Sequence, residues 1–384
     1  MAEQTPIVII GSGLAGYSLA REFRKLDKQS PLMLITRDDG ASYSKPMLST
    51  GFTKGKDAEA LMMSSAAKMA EQLTLSVRTH CEVERIDASS RTLFLDDGEQ
   101  QYNKLILATG ASVNKIKFPG SDLNGVVSIN DLNDYRNFRA LATGKKKILI
   151  MGAGLIGCEY ANDLLIGGYE IEIIDPSPAP LNGLIPNEAG KAVLKGLSDA
   201  GVNFHLGRSI SEIQETNSGL CATLDNGETL EGDLIISAIG LRPNTRLAET
   251  AGLACRHGIQ VDRSLQTSNP NIYALGDGAE VDGHVMLYVL PLMASARALA
   301  KTLAGEPTQV HYGVMPVATK TPACPVIVSP PLTNEGSWRF ESDGLNVKGL
   351  FEDEQGELTG FVLTGDCIAE KQMLAKQIKG IHDN

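Results

Sequence analysis

Apolar and polar positions along the chain fall twice into the same order. Residues 6–10 form a short apolar run, followed by a glycine-rich turn, a longer amphipathic stretch over 14–26 and a second apolar run at 32–36. Residues 145–151, another glycine turn, 155–165 and 171–175 repeat the sequence of events. Short continuous apolar runs bounded by turn residues predict strands buried on both faces, and the longer stretches predict helices. Each copy is therefore a βαβ unit of about thirty residues, the least a parallel crossover needs. With openings at Gly11 and Gly152, the copies lie too far apart for a solenoid and read as a duplicated module.

Each copy is followed by a short apolar strand with a glycine end. After the first comes Leu105-Ile106-Leu107-Ala108-Thr109-Gly110, and after the second Leu234-Ile235-Ile236-Ser237-Ala238-Ile239-Gly240. Upstream of each, Asp97-Gly98 and Asn226-Gly227 predict tight hairpin turns, hence a small β-meander inserted into each unit. A third apolar stretch ends in Gly276-Asp277, and a helix is expected over 292–303. From Pro316 the prolines cluster, a turn follows at 354–357, and an amphipathic helix is expected near 370–378. The expected fold is α/β: two Rossmann-like dinucleotide-binding domains with inserted β-meanders and a small α+β C-terminal domain. The boundaries are 1–112 with 243–315, 113–242, and 316–384.

The glycine turns carry the first chemistry. Gly11-Ser12-Gly13-Leu14-Ala15-Gly16 has the GxGxxG form directly between a strand and a helix, and Gly152-Ala153-Gly154-Leu155-Ile156-Gly157 repeats it. The first glycine permits the tight turn, the second lets backbone approach a pyrophosphate, and the third allows close helix–strand packing. The N-terminal position of the first copy is usual for FAD-binding Rossmann domains. An acidic residue about twenty positions on should hold the adenosine ribose. In the first copy Thr36 stands there, followed by Arg37, Asp38 and Asp39, so Thr36 and Arg37 become the ribose candidates and the bidentate carboxylate is missing. In the second copy Asp175 has the proper place, and no Arg follows it to hold a 2′-phosphate. That predicts NADH over NADPH.

Composition narrows the classes. A net charge of −11 argues against nucleic acid or an anionic membrane as partner. Six scattered cysteines form no CxxC or metal-ligand spacing and read as reduced, packed thiols, and the histidines form no i, i+4 pair, so no metal is expected. The N-terminus lacks a basic leader, and no run approaches the roughly 18 apolar residues of a membrane span. A cytoplasmic protein is expected.

The two fingerprints, Ala108-Thr109-Gly110 and Gly276-Asp277 together resemble the pyridine nucleotide–disulfide oxidoreductase superfamily over roughly residues 6–300. The resemblance implies FAD on the first fingerprint and NAD(H) on the second. It implies Asp277 on the FAD ribityl chain, Val83 at the adenine, and Gly240 among the cofactor contacts. Disulfide reductases of the superfamily carry a CxxxxC pair, and peroxidases a single Cys in the loop after the second strand. Here that loop is Ala41-Ser42-Tyr43-Ser44-Lys45-Pro46-Met47-Leu48-Ser49, and the nearest cysteine, Cys81, falls in an apparent strand. A thiol relay cannot be built there, so electrons must leave the flavin directly.

That loop, the Lys320-Thr321-Pro322-x-x-Pro325 segment and Leu155-Ile156-Gly157-Cys158-Glu159 look most like bacterial rubredoxin–NAD(+) reductases and are similar to reductases of flavorubredoxin. Reductases of [2Fe–2S] ferredoxins tend to have a longer C-terminal domain and a basic residue where this chain has Thr50. The implied reaction takes a hydride from NADH to FAD and passes single electrons to rubredoxin. Lys45 and Lys320 are expected at the isoalloxazine, stabilising the anionic reduced flavin; the plain alternative is exposed surface lysines. Glu159 is expected near nicotinamide and flavin, pairing with Lys45, or else as a favourable charge in a helix first turn. Val289 and Leu290, just before the helix at 292, resemble the segment whose backbone approaches the pyrimidine edge. A basic rim for an acidic partner would draw on Lys45, Lys54, Lys56, Arg297 and Lys320. The alternatives are a flavorubredoxin or ferredoxin reductase, an oxygen-reducing NADH oxidase or peroxidase, and, outside enzymes, a flavin-binding NADH sensor.

Overall fold

The apolar run Ile7–Ile10 is the central strand of a five-stranded sheet in the computed structural model, which describes residues 5–383. Its neighbours are Lys104–Leu107 and Leu32–Ile35, with Ile272–Ala274 and Ser76–Arg78 at the edges, and every pairing is parallel. Val8 and Ile9 are fully buried, which is why this strand shows no polar alternation. Helix Leu14–Leu26 buries Tyr17, Leu19, Ala20 and Phe23 and packs beside helix Val289–Leu303. Arg24 closes its C-terminal end by donating to the carbonyls of Leu73, Asp27, Ser30 and Thr74. The expected meander is present as Val83–Asp87, Thr92–Leu95 and Gly98–Gln101. Cys81 lies between strands Ser76–Arg78 and Val83–Asp87 and belongs to neither.

The chain forms two compact units. The first comprises the chain to Lys45, Met62–Ser112 and Leu241–Tyr312; the second comprises Pro46–Leu61, Val113–Gly240 and the chain from Gly313. The second unit repeats the parallel architecture in the order Val126–Val127, Leu234–Ser237, Lys147–Met151, Glu170–Asp175, Val202–Leu206. Its meander, Ile210–Glu215, Leu220–Leu224 and Thr229–Gly232, closes over Leu149, Ile174 and Ile235. The C-terminal residues add a five-stranded antiparallel sheet in the order Val317–Thr319, Val326–Ser329, Leu358–Thr364, Asn346–Glu352, Ser337–Asp343.

Three elements differ from expectation. The helix expected near 370–378 is a 3₁₀ turn, Gly365–Glu370, and a short helix, Lys371–Ala375. Its apolar spacing is used nonetheless, since Leu374 and Ile378 cover Phe361 and Leu363; so short a helix depends on that cover. The loop around Lys45 is a 3₁₀ helix, Lys45–Thr50. Segment 46–61, expected with the first unit, packs with the second. Among the described residues no helix is long and apolar enough to cross a membrane.

Candidate functional site

The two glycine turns make the same demands on their residues. Gly11 has φ +113°, and a Cβ there would stand 2.3 Å from the Ala108 carbonyl oxygen; a Cβ at Gly16 would stand 2.0 Å from the Gly11 oxygen. Gly152 has φ +109°, with Cβ contacts of 2.6 Å to the Ala238 oxygen, and Gly157 would meet the Gly152 oxygen at 1.9 Å. Packing alone requires those four glycines. Gly13 and Gly154 are different, because a Cβ at either meets nothing within 4 Å. Each is also the N-cap of the helix that follows and offers no side-chain cap. An open face beside uncapped helix N–H groups fits a pyrophosphate.

Around the first turn the structure corrects one reading: a carboxylate does reach the position beside Thr36. Asp38 Oδ1 accepts from Thr36 Oγ1 at 2.7 Å, Ser12 Oγ at 3.0 Å and the Gly40 amide at 2.9 Å. Gly40, at φ +68°, turns the chain back so that the carboxylate three residues beyond the strand end returns to the glycine turn. Thr36 and Ser12 are buried, with their hydroxyls 3.0 Å apart, whereas Arg37 is exposed. Val83 opens the meander with its side chain buried.

Other expected residues of this unit gather at the same turn. A Cβ on Gly276 would come within 2.8 Å of the Ala15 Cβ, which places Gly276-Asp277 against the start of the fingerprint helix. Thr109 and Asn244 exchange hydrogen bonds, Thr109 Oγ1 donating to the Asn244 carbonyl and Asn244 Nδ2 to the Thr109 carbonyl, next to Gly110 at φ +65°. Asp277 is 20% exposed, with Lys45 Nζ at 3.9 Å. Burial raises its carboxyl above the usual range and Lys45 partly opposes that. Val289 and Leu290 are a correction: they form the first turn of helix Val289–Leu303 instead of preceding it. Pro291 is tolerated there because the opening N–H groups of a helix have no partner to lose.

Around the second turn, Asp175 stands where the sequence puts it. Its Oδ2 accepts from the Ala153 amide at 2.6 Å and its Oδ1 from the Ser177 amide at 2.7 Å. Gly240 has φ +98°. Cys158 donates to the Ala153 carbonyl and its thiol is pushed upward by burial, so it packs instead of reacting.

A third cluster forms on helix Leu155–Ile166. Glu159 is only 1% exposed and lies beyond the helix's first turn, which has no acidic residue, so the dipole alternative fails. Within its own unit it pairs with the Lys320 ammonium. Lys320 donates both its Nζ and, at 2.9 Å, its backbone amide to the carboxylate, and Ser49 Oγ donates at 2.7 Å. One turn further, Asn162 Oδ1 accepts from the Ala323 amide at 3.0 Å. Asp163 accepts from the Phe52 amide at 3.1 Å and from Thr53 N and Oγ1, each at 2.7 Å. Sequence reading missed Asp38, Ser49, Asn162 and Asp163. The signal for the last two was three polar residues at i, i+3 and i+4 in an otherwise apolar helix.

A family model described as pyridine nucleotide-disulphide oxidoreductase matches residues 5–311, and one described as rubredoxin binding C-terminal domain matches residues 309–378. The chain is 51% identical to a rubredoxin-NAD(+) reductase of Alcanivorax borkumensis, covering 98% of this chain and 99% of the relative. It is 39% identical to a nitric oxide reductase FlRd-NAD(+) reductase of Aeromonas salmonicida, covering 97% and 96%. A solved ferredoxin reductase from Rhodopseudomonas palustris superposes with a TM-score of 0.87 at 25% identity, covering 98% and 96%. A solved NADH:rubredoxin oxidoreductase from Clostridium acetobutylicum, 21% identical with a TM-score of 0.82 over 98% and 95%, shares the fold.

Proposed function

Because the chain belongs to the pyridine nucleotide-disulphide oxidoreductase family, we propose that it is an FAD-dependent reductase carrying electrons from NADH to rubredoxin. The observation that carries this reading is the region matching a rubredoxin-binding domain, which supplies Lys320 to the buried Glu159 carboxylate. FAD held at the Gly11–Gly16 turn would supply the chemistry that accepts two electrons as a hydride from NADH and releases them singly.

The chain's own residues have distinct tasks in this reading. Gly11, Gly13 and Gly16 shape the turn whose N–H groups receive the FAD pyrophosphate, and Asp38 with Ser12 and Thr36 meets the adenosine ribose. Asp277 serves the ribityl chain. Gly152, Gly154 and Gly157 do the same for NADH, and Asp175 selects a free 2′-hydroxyl by repelling a 2′-phosphate. Lys45 and Lys320 favour negative charge on the reduced flavin. Glu159 holds Lys320 in place, its own desolvation offset by the donors it accepts. The discontinuous region 1–112 with 243–315, less segment 46–61, takes FAD, and 113–242 takes NADH. A cytoplasmic setting agrees with six free thiols.

The test is NADH-driven cytochrome c reduction by the purified holoenzyme with rubredoxin, a [2Fe–2S] ferredoxin, flavorubredoxin or no carrier. Stimulation by rubredoxin well above the others is expected. Equal or greater stimulation by ferredoxin or flavorubredoxin would overturn the partner, and a protein that binds no flavin would overturn the whole reading.

A further inference from the structure

Helix Leu155–Ile166 begins at the second glycine turn, and one of its faces carries Glu159, Asn162 and Asp163 in consecutive turns. All three are buried. Asn162 and Asp163 present their oxygens to backbone amides of two distant segments, which is an arrangement for fixing positions and not for chemistry. Hydrogen bonds in a dry interior are directional, whereas apolar packing tolerates small slides.

Asp163 spends both carboxylate oxygens on Phe52 and Thr53. Phe52 is fixed from other sides too: the Arg139 guanidinium lies 4.0 Å from its ring centroid, and Tyr169 meets it edge-on at 5.4 Å. The pinned segment is the one that brings Ser49 Oγ to Glu159 Oε2. Asn162 does the same for the C-terminal segment. Its bond to the Ala323 amide holds a turn closed by Cys324 N donating to the Thr321 carbonyl and by Thr321 Oγ1 donating to the Cys324 carbonyl. That turn delivers the Lys320 amide and ammonium to Glu159.

We propose that Asn162 is a positioning residue of the electron-transfer reaction, acting through Lys320 by its hydrogen bond to the backbone of the segment that carries it. The proposal rests on the reading that Lys320 stabilises the reduced flavin.

The experiment is a double-mutant cycle on the FAD-loaded enzyme, read as the flavin midpoint potential. Asn162→Ala should weaken the reduced flavin on the order of tenfold, equivalent to about 30 mV for a two-electron couple, in the same direction as Lys320→Ala. Asn162→Ser, which keeps an acceptor oxygen without adding a charge, should restore part of the loss. In the Lys320→Ala background Asn162→Ala should add nothing. Additive effects, or an unchanged potential in Asn162→Ala while Lys320→Ala shifts it, would overturn the positioning role. An unchanged potential in Lys320→Ala would instead overturn the underlying reading of Lys320. Should Asn162→Ala bind FAD incompletely, Asn162→Leu, which fills the same volume without an acceptor, carries the same cycle.

Discussion

Replacing Asp175 with Ala removes a carboxylate that does two things at once. It repels any 2′-phosphate at the ribose, and it ties the Ala153 and Ser177 amides together at 2.6 and 2.7 Å. Two like charges about 4 Å apart cost about 1 kcal/mol at a dielectric of 80 and about 4 kcal/mol at 20. At about 1.4 kcal/mol per factor of ten, discrimination against NADPH from this source lies between roughly fivefold and a thousandfold. Losing the acceptor for two amides costs about 1–3 kcal/mol, and this falls on NADH as well. NADH efficiency should therefore drop, and the NADPH penalty should shrink. The assay is kcat/KM for both nucleotides with ferricyanide as acceptor. Asp175→Asn separates the two effects, since it removes the charge and keeps one acceptor oxygen for the turn. If the ratio of the two efficiencies stays at its wild-type value in both variants, Asp175 does not set nucleotide choice.

Asp38→Ala should weaken FAD binding about tenfold, close to 1.4 kcal/mol, because Ser12, Thr36 and the Gly40 amide lose their common acceptor; reconstitution of apoprotein with FAD measures it, and an unaltered Kd refutes the ribose role. Burial raises the Asp277 carboxyl above its unfolded value, so its contribution to stability is fullest below the ordinary carboxylate pKa and declines as pH rises through the raised one. Asp277→Asn has no such decline, so in urea unfolding of the apoprotein its stability relative to wild type should increase from about pH 4 toward neutrality; a pH-independent difference would reject this.

The parts of the site legible in the sequence are those enforced by local backbone. Gly11 and Gly152 need φ above +100°, and Gly16 and Gly157 sit where any Cβ would strike a carbonyl five residues back, so the fingerprints could be recognised from spacing. Asp175 was equally legible, because its place at a strand end follows from the length of a βαβ unit. Asp38 was not, although it stands only two residues past Thr36. Spacing marks the strand end, and the reversal at Gly40 that returns its carboxylate to Ser12 follows from turn geometry. The helix at 289 was placed three residues late because Pro291 reads as a break, although a helix's first turn accepts it.

Glu159 marks the other boundary. Its presence on the second fingerprint helix was evident, yet its partners lie 110 and 161 residues away, at Ser49 and Lys320. The mounting of segment 46–61 on the second unit rests on Asp163 bonds of comparable span. The two dinucleotide turns, the preference expected from Asp175 and the lack of a cysteine between 41 and 49 follow from the order of residues alone, because they are matters of backbone geometry and residue identity at fixed local spacing. Tertiary structure decided which cation faces Glu159, which carboxylate meets Thr36 and which helix holds the Ser49 and Lys320 segments. Those are meetings of buried polar groups that each need a partner, and the partner is whichever donor folding brings within about 3 Å.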